Sequence, residues 1–499
     1  MTLVSAGCTL APAYHRPDAA VTPRWPSGPA YEPGAAAAAA TAAATPAADL
    51  GWRDFFTDAR LQELIATALA HNPDARVAAL NVIAARAQYQ IQRAELFPTI
   101  SATATEEIEK YPAAVAGIAE AGATGGAASS TGGAAGSGGG SAVFRYFDVG
   151  LGFTSYELDV FGRVRSQNAA RLQQYFGYVE SRRSTQISLV AEVANAYFTV
   201  LCDQALLKLT ADTLASQQAS LELTRMSFEG GVSTALDFHQ AETSVATARA
   251  SLEQYTRQLA QDHNALVVLL GIPLPDDLPT ETDLDEQRLL ADLPAGLPSD
   301  LLTRRPDILA AEHALIAANA NIGAARAAFF PSVTLTGNYG TASTELSGLF
   351  SHGSTAWTFS PQISLPIFAA GANLAALQLA NTQKNVYVVQ YEQTIQTAFR
   401  EVADALAGRG TLERQIAAEQ QLVAATGESH RLSEMRFRNG VDNYLAVLDS
   451  QRSLYGAEQA LLDAKLARLQ NLITLYKALG GGWNEHTVQG TTASGMAQR

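Results

Sequence analysis

Two kinds of periodicity divide this chain, and each occurs twice. From Gly162 to about Glu229 apolar residues recur at Ile187, Val190, Ala194, Tyr197 and Leu201. From 371 to 438 they recur at Val388, Tyr391, Ile395, Ala398, Val402, Ala405, Leu412 and Ile416. This three-four spacing predicts long helices with one packed seam. A helix of roughly 65 residues would be on the order of 100 Å long at 1.5 Å per residue, far beyond an ordinary globular helix. Gly230-Gly231-Val232-Ser233 and Asn439-Gly440-Val441-Asp442-Asn443 break these helices, and return helices are expected to about Leu270 and Leu479. Period-two alternation marks 98–110, 143–161, 331–343 and 356–368 as strands of 10 to 13 residues or longer, with Phe147, Phe153, Tyr156, Trp357 and Phe359 near their ends. Each pair of strands follows a shorter helix, expected over 61–97 and 307–330, each ending at a Phe-Pro step.

The doubling is written in the residues themselves. Residues 73–98 and 306–331 align without a gap at an offset of 233, with 11 identities in 26 positions. MSFEGGVSTAL (226–236) pairs with MRFRNGVDNYL (435–445) at an offset of 209, as do the segments around Glu192 and Glu401. About 200 residues were therefore duplicated, so one architectural unit is used twice. The domain reading is a remnant of a signal peptide at 1–7, an extended and poorly packed segment at 8–60, a first repeat at 61–270, a linker at 271–300, a second repeat at 301–480 and a tail at 481–499.

Strands of this length with aromatics at their ends match tilted transmembrane β-strands. Four strands cannot close a barrel, and an open edge cannot face lipid. A membrane role thus requires strands from other copies, and a homotrimer would supply twelve. The Gly/Ala/Ser-rich stretch 111–142 can only be a loop.

Composition narrows the chemistry. The net charge of −14 argues against nucleic acid as a partner. No run of 18 apolar residues is present, so no transmembrane helix is expected. The two cysteines, Cys8 and Cys202, cannot form a disulfide framework in a chain of 499 residues. Cys202 lies in a helical run and reads as a buried small hydrophobe. Cys8 ends LVSAGC, the shape of a lipoprotein cleavage site, although few residues precede it. No HExxH, GxSxG, CxxC or phosphate-binding loop occurs, no metal set is visible and no cofactor is expected beyond a covalent lipid on Cys8. This pattern favours transport over catalysis.

Four stretches carry a family resemblance: 297–337, 155–166 (SYELDVFGRVRS), 436–454 (RFRNGVDNYLAVLDSQRSL) and 476–483 (YKALGGGW). Over about residues 50–483 the chain resembles the TolC-type outer-membrane factors, closest to the OprM-like (NodT-type) lipoprotein branch of efflux channels. The resemblance implies a mixed α and β membrane protein: a trimeric 12-stranded β-barrel in the outer membrane, continued by a long α-helical barrel in the periplasm. It implies a passive channel for drugs or other small solutes, serving a periplasmic membrane-fusion adaptor and an inner-membrane pump of the resistance-nodulation-division type. The alternatives are a type I secretion channel and, less in keeping with the strands, a periplasmic coiled-coil scaffold without a pore. Leu445, Asp449 and Arg452 match the positions that hold such channels shut at the periplasmic end. Their spacing places them on one helix face. In the first repeat, Asp449 and Arg452 are replaced by Gln240 and Thr243, so the second hairpin is expected to carry the lock. The turns are expected to present Gly231, Val232, Ser233, Gly440, Val441 and Asn443 to the adaptor.

Overall fold

The computed structural model describes residues 9–18, 21–31, 46–111, 142–275, 278–284, 287, 289, 293 and 298–487. Cys8 and most of the loop 111–142 lie outside them. In chain order the helices are α1 (Trp52–Phe55), α2 (Ala59–His71), α3 (Pro73–Ala94), α4 (Arg163–Glu229), α5 (Ala235–Leu270), α6 (Leu301–Arg304), α7 (Pro306–Ala327), α8 (Ala372–Arg438) and α9 (Tyr444–Ala478). The strands are β1 (Ser101–Tyr111), β2 (Ala142–Leu158), β3 (Ser332–Ser343) and β4 (Thr355–Ser364). The two long helices, α4 and α8, have 67 residues each and are offset by 209, the spacing of the repeat. Among the described residues, no helix is both long and apolar enough to cross a membrane.

The chain forms two compact units, and each draws on both repeats. The first contains the sheet, whose order is β1-β2-β3-β4, antiparallel throughout. Register decides its chemistry. Trp357, Phe359, Pro361 and Ile363 stand beside Tyr339, Gly337, Leu335 and Val333, which in turn stand beside Leu151, Phe153, Tyr156 and Leu158. That face is apolar, and Leu151, Tyr339, Trp357, Phe359 and Ile363 are exposed on it. The opposite face carries Thr358, Ser360 and Gln362 beside Asn338, Thr336 and Thr334, then Thr103 and Thr105 beside Gly150 and Asp148. Cross-strand neighbours share a face because side chains alternate with period two. One row of the polar face is held tight. A side chain at Gly150 would meet Asn338 Oδ1 at 2.6 Å, one at Gly152 would meet the Gly337 carbonyl at 2.6 Å, and one at Gly340 would run into the Val149 carbonyl. Glycine at such points lets strands approach closely and a sheet coil.

Also in the first unit, the segment after Cys8 is laced to α7. Arg326 Nη1 donates to the Leu10 carbonyl (3.1 Å), Asn319 Nδ2 donates to the Pro12 carbonyl (2.7 Å), and Ala11 packs against Gly323. In the second unit Arg16 makes a bidentate pair with Glu312, both bonds 2.7 Å, Trp25 stacks on Phe399 at 5.0 Å, and Arg414 donates to the Pro29 carbonyl. Residues 47–58 contribute to the core: Trp52, Phe55 and Phe56 are buried, Phe55 stacks on Tyr476 at 4.1 Å, and the Tyr476 hydroxyl donates to the Leu50 carbonyl at 2.7 Å. For the described residues of 8–60, the expectation of poor packing is thus corrected. Its backbone is extended in part, but its carbonyls and aromatics are bound by side chains of distant helices. The helix expected over 61–97 is also corrected to α2 and α3. Pro73 lacks an N–H and holds Asn72 extended. Asn72 seals the break: its Oδ1 accepts from the backbone N–H of Asp74 and Ala75, and its Nδ2 donates to the Leu269 carbonyl.

The helical seams read from the sequence are buried in the main, while Val388, Leu412 and Ile416 of the second are half-buried. Ile187, Val190, Ala194, Tyr197 and Leu201 on α4 and Tyr391, Ile395, Ala398, Val402 and Ala405 on α8 all lie in the core. Cys202 is buried and unoxidised, and burial pushes its thiol up to about 12. Arg305, just before α7, is buried among Asp307 (2.5 Å), Glu401 (2.9 Å) and the Ala478 carbonyl (3.0 Å), tying the start of α7 to α8 and to the end of α9. Beside Cys202, Asp203 is raised to about 7, first by burial, then by the hydrogen bond with and charge of Asp262, then by Asp463.

Asp203 has a folded-state pKa above its unfolded value. The folded protein therefore holds the extra proton between about pH 4 and 7, and stability should fall as pH rises through that window. Asp203→Asn should raise the unfolding temperature at pH 7.5 and flatten the fall. Thermal unfolding of the detergent-solubilised protein from pH 5 to 8 tests this, and an unchanged slope would refute it. In the sheet, Gly340→Val should break the β2–β3 pairing and sharply reduce heat-modifiable, folded protein in the membrane fraction on unheated gels.

Candidate functional site at the hairpin tips

The ends of α4 and α8 are built alike. At the first, the Val232 N–H donates to the Ser227 carbonyl (2.9 Å) and the Gly231 N–H to the Phe228 carbonyl (3.0 Å). At the second, the Val441 N–H donates to the Arg436 carbonyl (3.0 Å) and the Gly440 N–H to the Phe437 carbonyl (2.9 Å). Both are Schellman closures, in which a residue in the left-handed region satisfies the last carbonyls of a helix. Gly231 and Gly440 hold that position with φ of 75° and 70°. Nothing lies within 4 Å of where their side chains would be, so the glycines are required by backbone conformation rather than by crowding. Val232 and Val441, one residue on, are both exposed.

The turns differ in how they are braced. After the first, Thr234 caps α5 in a capping box with Asp237, and Ser233 Oγ donates to Asp237 Oδ2 at 3.3 Å. These hydroxyl donors hold the Asp237 carboxyl below its usual range. After the second, Asn443 sits at the N-cap of α9 without a side-chain capping bond. The brace is instead Arg436, whose guanidinium grips Asp442 at 2.5 and 3.1 Å and holds its carboxyl below the usual range. The repeat places Ser227 and Ser233 where Arg436 and Asp442 stand. Sequence reasoning passed over this ion pair, although an Arg and an Asp six apart astride an Asn-Gly turn is a readable signal.

Behind the tips, the start of α9 is anchored. Tyr444, Val447 and Leu448 cluster with Ala241 of α5, and Leu221 of α4 and Phe437 of α8 pack against them. Leu445, Asp449 and Arg452 share the opposite, exposed face of α9. The structure thus brings the three together on one surface. Among the described residues, neither Asp449 nor Arg452 makes an ion pair within the chain, so any charge lock they form needs a second molecule. Gly440, Val441, Asn443 and the Leu445 face lie on adjacent turns of the second hairpin, over a buried foundation.

Comparison with known proteins agrees with this architecture. The family described as outer membrane efflux protein matches residues 64–272 and 297–481. The chain is 50% identical over 97% of its length, and 95% of the relative's, to a probable efflux pump outer membrane protein, TtgC, of Pseudomonas putida. Among solved structures, a membrane protein from Pseudomonas aeruginosa superposes with a TM-score of 0.84 at 42% identity, covering 96% of this chain and 98% of that one. The open state of the MtrE outer membrane channel of Neisseria gonorrhoeae superposes with a TM-score of 0.83 at 40% identity, covering 97% and 100%. The fold is that of the trimeric TolC-like outer-membrane channels, and the chain belongs to the outer membrane efflux protein family.

Proposed function

We propose that three copies of this chain close a 12-stranded barrel in the outer membrane and conduct small solutes passively, as the outer component of a tripartite efflux system. The observation that carries this reading is the sheet: one exposed apolar, aromatic face, one polar face, and two unpaired edges. An apolar face suits lipid and a polar face suits an aqueous lumen. The edges demand neighbours, because unpaired backbone groups are too costly in hydrocarbon. Solutes expelled would include antibiotics and small aromatic hydrocarbons, since relatives are named for antibiotic efflux and toluene efflux.

Cys8 is proposed to carry the lipid. Support comes from its neighbours, since Leu10 and Pro12 are tied to Asn319 and Arg326, just ahead of β3. That tether would hold an acyl chain near the strands. The turns at Gly231-Val232-Ser233 and Gly440-Val441-Asn443 are proposed to meet the hairpins of a periplasmic adaptor, which would link the channel to an inner-membrane pump of the resistance-nodulation-division type. Their exposed valines and fixed backbone offer a preformed docking point with little ordering cost.

Leu445, Asp449 and Arg452 are proposed as the closure at the periplasmic end, with Leu445 packing and Asp449 and Arg452 pairing between copies. An exposed ion pair contributes under about 1 kcal/mol, so several repeated around a ring must act together. In planar bilayers, Asp449→Ala with Arg452→Ala should raise single-channel conductance several-fold at neutral pH; an unchanged conductance would remove the lock. A photo-crosslinker at Ser233 or Asn443 should yield adducts with a co-expressed adaptor, whereas one at the buried Ala241 should not. Absence of adducts at both tips would count against docking there.

A further inference from the structure

The register sorts the charges of the sheet by sign. β3 and β4 carry none. On the polar face Asp148 stands beside Thr105, Glu107 beside Tyr146, Glu109 beside Phe144 and Glu157 beside Thr334. Every charge there is a carboxylate. The two cations of the sheet, Lys110 and Arg145, both fall on the apolar face, because side chains alternate with period two.

Their place on that face is specific. Arg145 stands beside Ile108 and Lys110 beside Val143, so the four make a square with the cations on one diagonal. Ile108 and Val143 hold the other diagonal and are 55% and 56% exposed. Lys110 and Arg145 are exposed as well, and neither makes an ion pair among the described residues. Glu106, the one acid on this face, stands beside Phe147, on the far side of Ile108 from Lys110. Diagonal neighbours on one face lie about 7–8 Å apart, so two long side chains there can share one ligand.

Height along the strand fixes the setting. The apolar band of β2 runs from Leu158 to Phe147, with Tyr339 and Trp357 on the neighbouring strands. At about 3.3 Å per residue and a tilt near 40°, that stretch rises about 25–30 Å, the height of a barrel's lipid-facing band. Arg145 is the next residue on the face beyond Phe147, at the end of the sheet away from the joins to α4 and α7. Cations on a lipid-facing surface are penalised at mid-membrane and tolerated at its edge.

We propose that Lys110 and Arg145 clamp the phosphate of an anionic saccharolipid of the lipid A class at the outer edge of the membrane. This rests on the reading that the sheet spans the outer membrane. A phosphorylated amphiphile is the fitting occupant because the square offers both halves of its chemistry. Arg145 presents a planar fork that takes a phosphate bidentately, and Lys110 adds a point charge. Ile108, Val143 and the band below them meet the acyl chains. A free phosphate would use the cations alone and leave the apolar groups in water.

The test uses the full-length protein in detergent, incubated with diphosphoryl lipid A, with the retained lipid counted by native mass spectrometry. Lys110→Gln with Arg145→Gln should retain several-fold less than wild type, while Arg249→Gln, on the exposed face of α5, should retain as much. Lipid A stripped of both phosphates should bind wild type as poorly as the diphosphoryl form binds the double variant. Equal retention by wild type and double variant, or of the two lipids by wild type, would overturn the clamp. Displacement of the lipid by inorganic phosphate at the same concentration would also overturn it, in favour of a simple anion site. In planar bilayers the double variant should conduct as wild type does, because both cations face away from the lumen; a changed conductance would place them on the other face and sink the proposal. A wild-type chain that conducts but holds both lipids alike loses only the clamp. A wild-type chain that neither inserts nor conducts takes down the membrane reading with it.

Discussion

A sheet with two open edges and an oily face has no stable place in either water or lipid on its own. In water the exposed Trp357, Phe359 and Ile363 would associate, and in hydrocarbon the unpaired N–H and C=O groups of β1 and β4 would each cost several kcal/mol. Closure by further copies meets both demands at once. Much else in the chain is consistent with that single constraint. The glycines on the polar face allow the strands to coil, and the register sorts Thr, Ser, Gln and Asn to one side.

Long helices raise a second problem, since much of their surface has no partner in a single layer. The second unit meets it by adding material across the hairpins. Extended segments on either side of the first repeat are bound by helix side chains. Examples are the Arg16–Glu312 pair, the Trp25–Phe399 stack and the bond from Gln287 to Asp58 at 2.6 Å. Arg305 gathers two carboxylates and a helix-end carbonyl at one buried point. Such a pair is weak evidence for net stability but strongly constrains geometry, because losing one member strands a buried charge. Burial of Asp203 against Asp262 works in the opposite sense and stores electrostatic strain in the packed helices near neutral pH.

The tips show how duplication and divergence divide the work. The Schellman closure is kept in both copies because a left-handed glycine is the simplest way to end a long helix and reverse the chain. The brace is not kept. Hydroxyls and a capping box hold the first turn, and the Arg436–Asp442 ion pair holds the second. The second hairpin also carries the exposed Asp449 and Arg452 in place of Gln240 and Thr243. At these matched positions the second hairpin carries charges where the first carries Ser227, Ser233, Gln240 and Thr243, so screening by salt bears on them in the second hairpin alone.

The chain's own order of residues determined whatever depends on near neighbours. Period-two alternation located the strands, the three-four spacing located α4 and α8 with their buried seams, and Gly-Val steps located both turns. The repeat set the equivalences between them. The Pro73 break was also legible, because Pro306 starts the matching helix, although helix-forming residues on both sides of it read as one element. Other features were settled only in three dimensions. Residues 9–18 and 21–31 looked unstructured because what holds them, Glu312, Asn319, Arg326, Phe399 and Arg414, lies far away in sequence. Residues 47–58 joined the core through Tyr476, more than 400 positions away. The raised pKa of Asp203 arises where α4, α5 and α9 converge, a juxtaposition no local spacing encodes. Leu445, Asp449 and Arg452 could be placed on one helix face from spacing alone. That this face is the solvent-facing one, opposite Tyr444, Val447 and Leu448, was decided by the packing of a different hairpin beneath it, since burial is a property of the neighbours a residue meets and not of the residue.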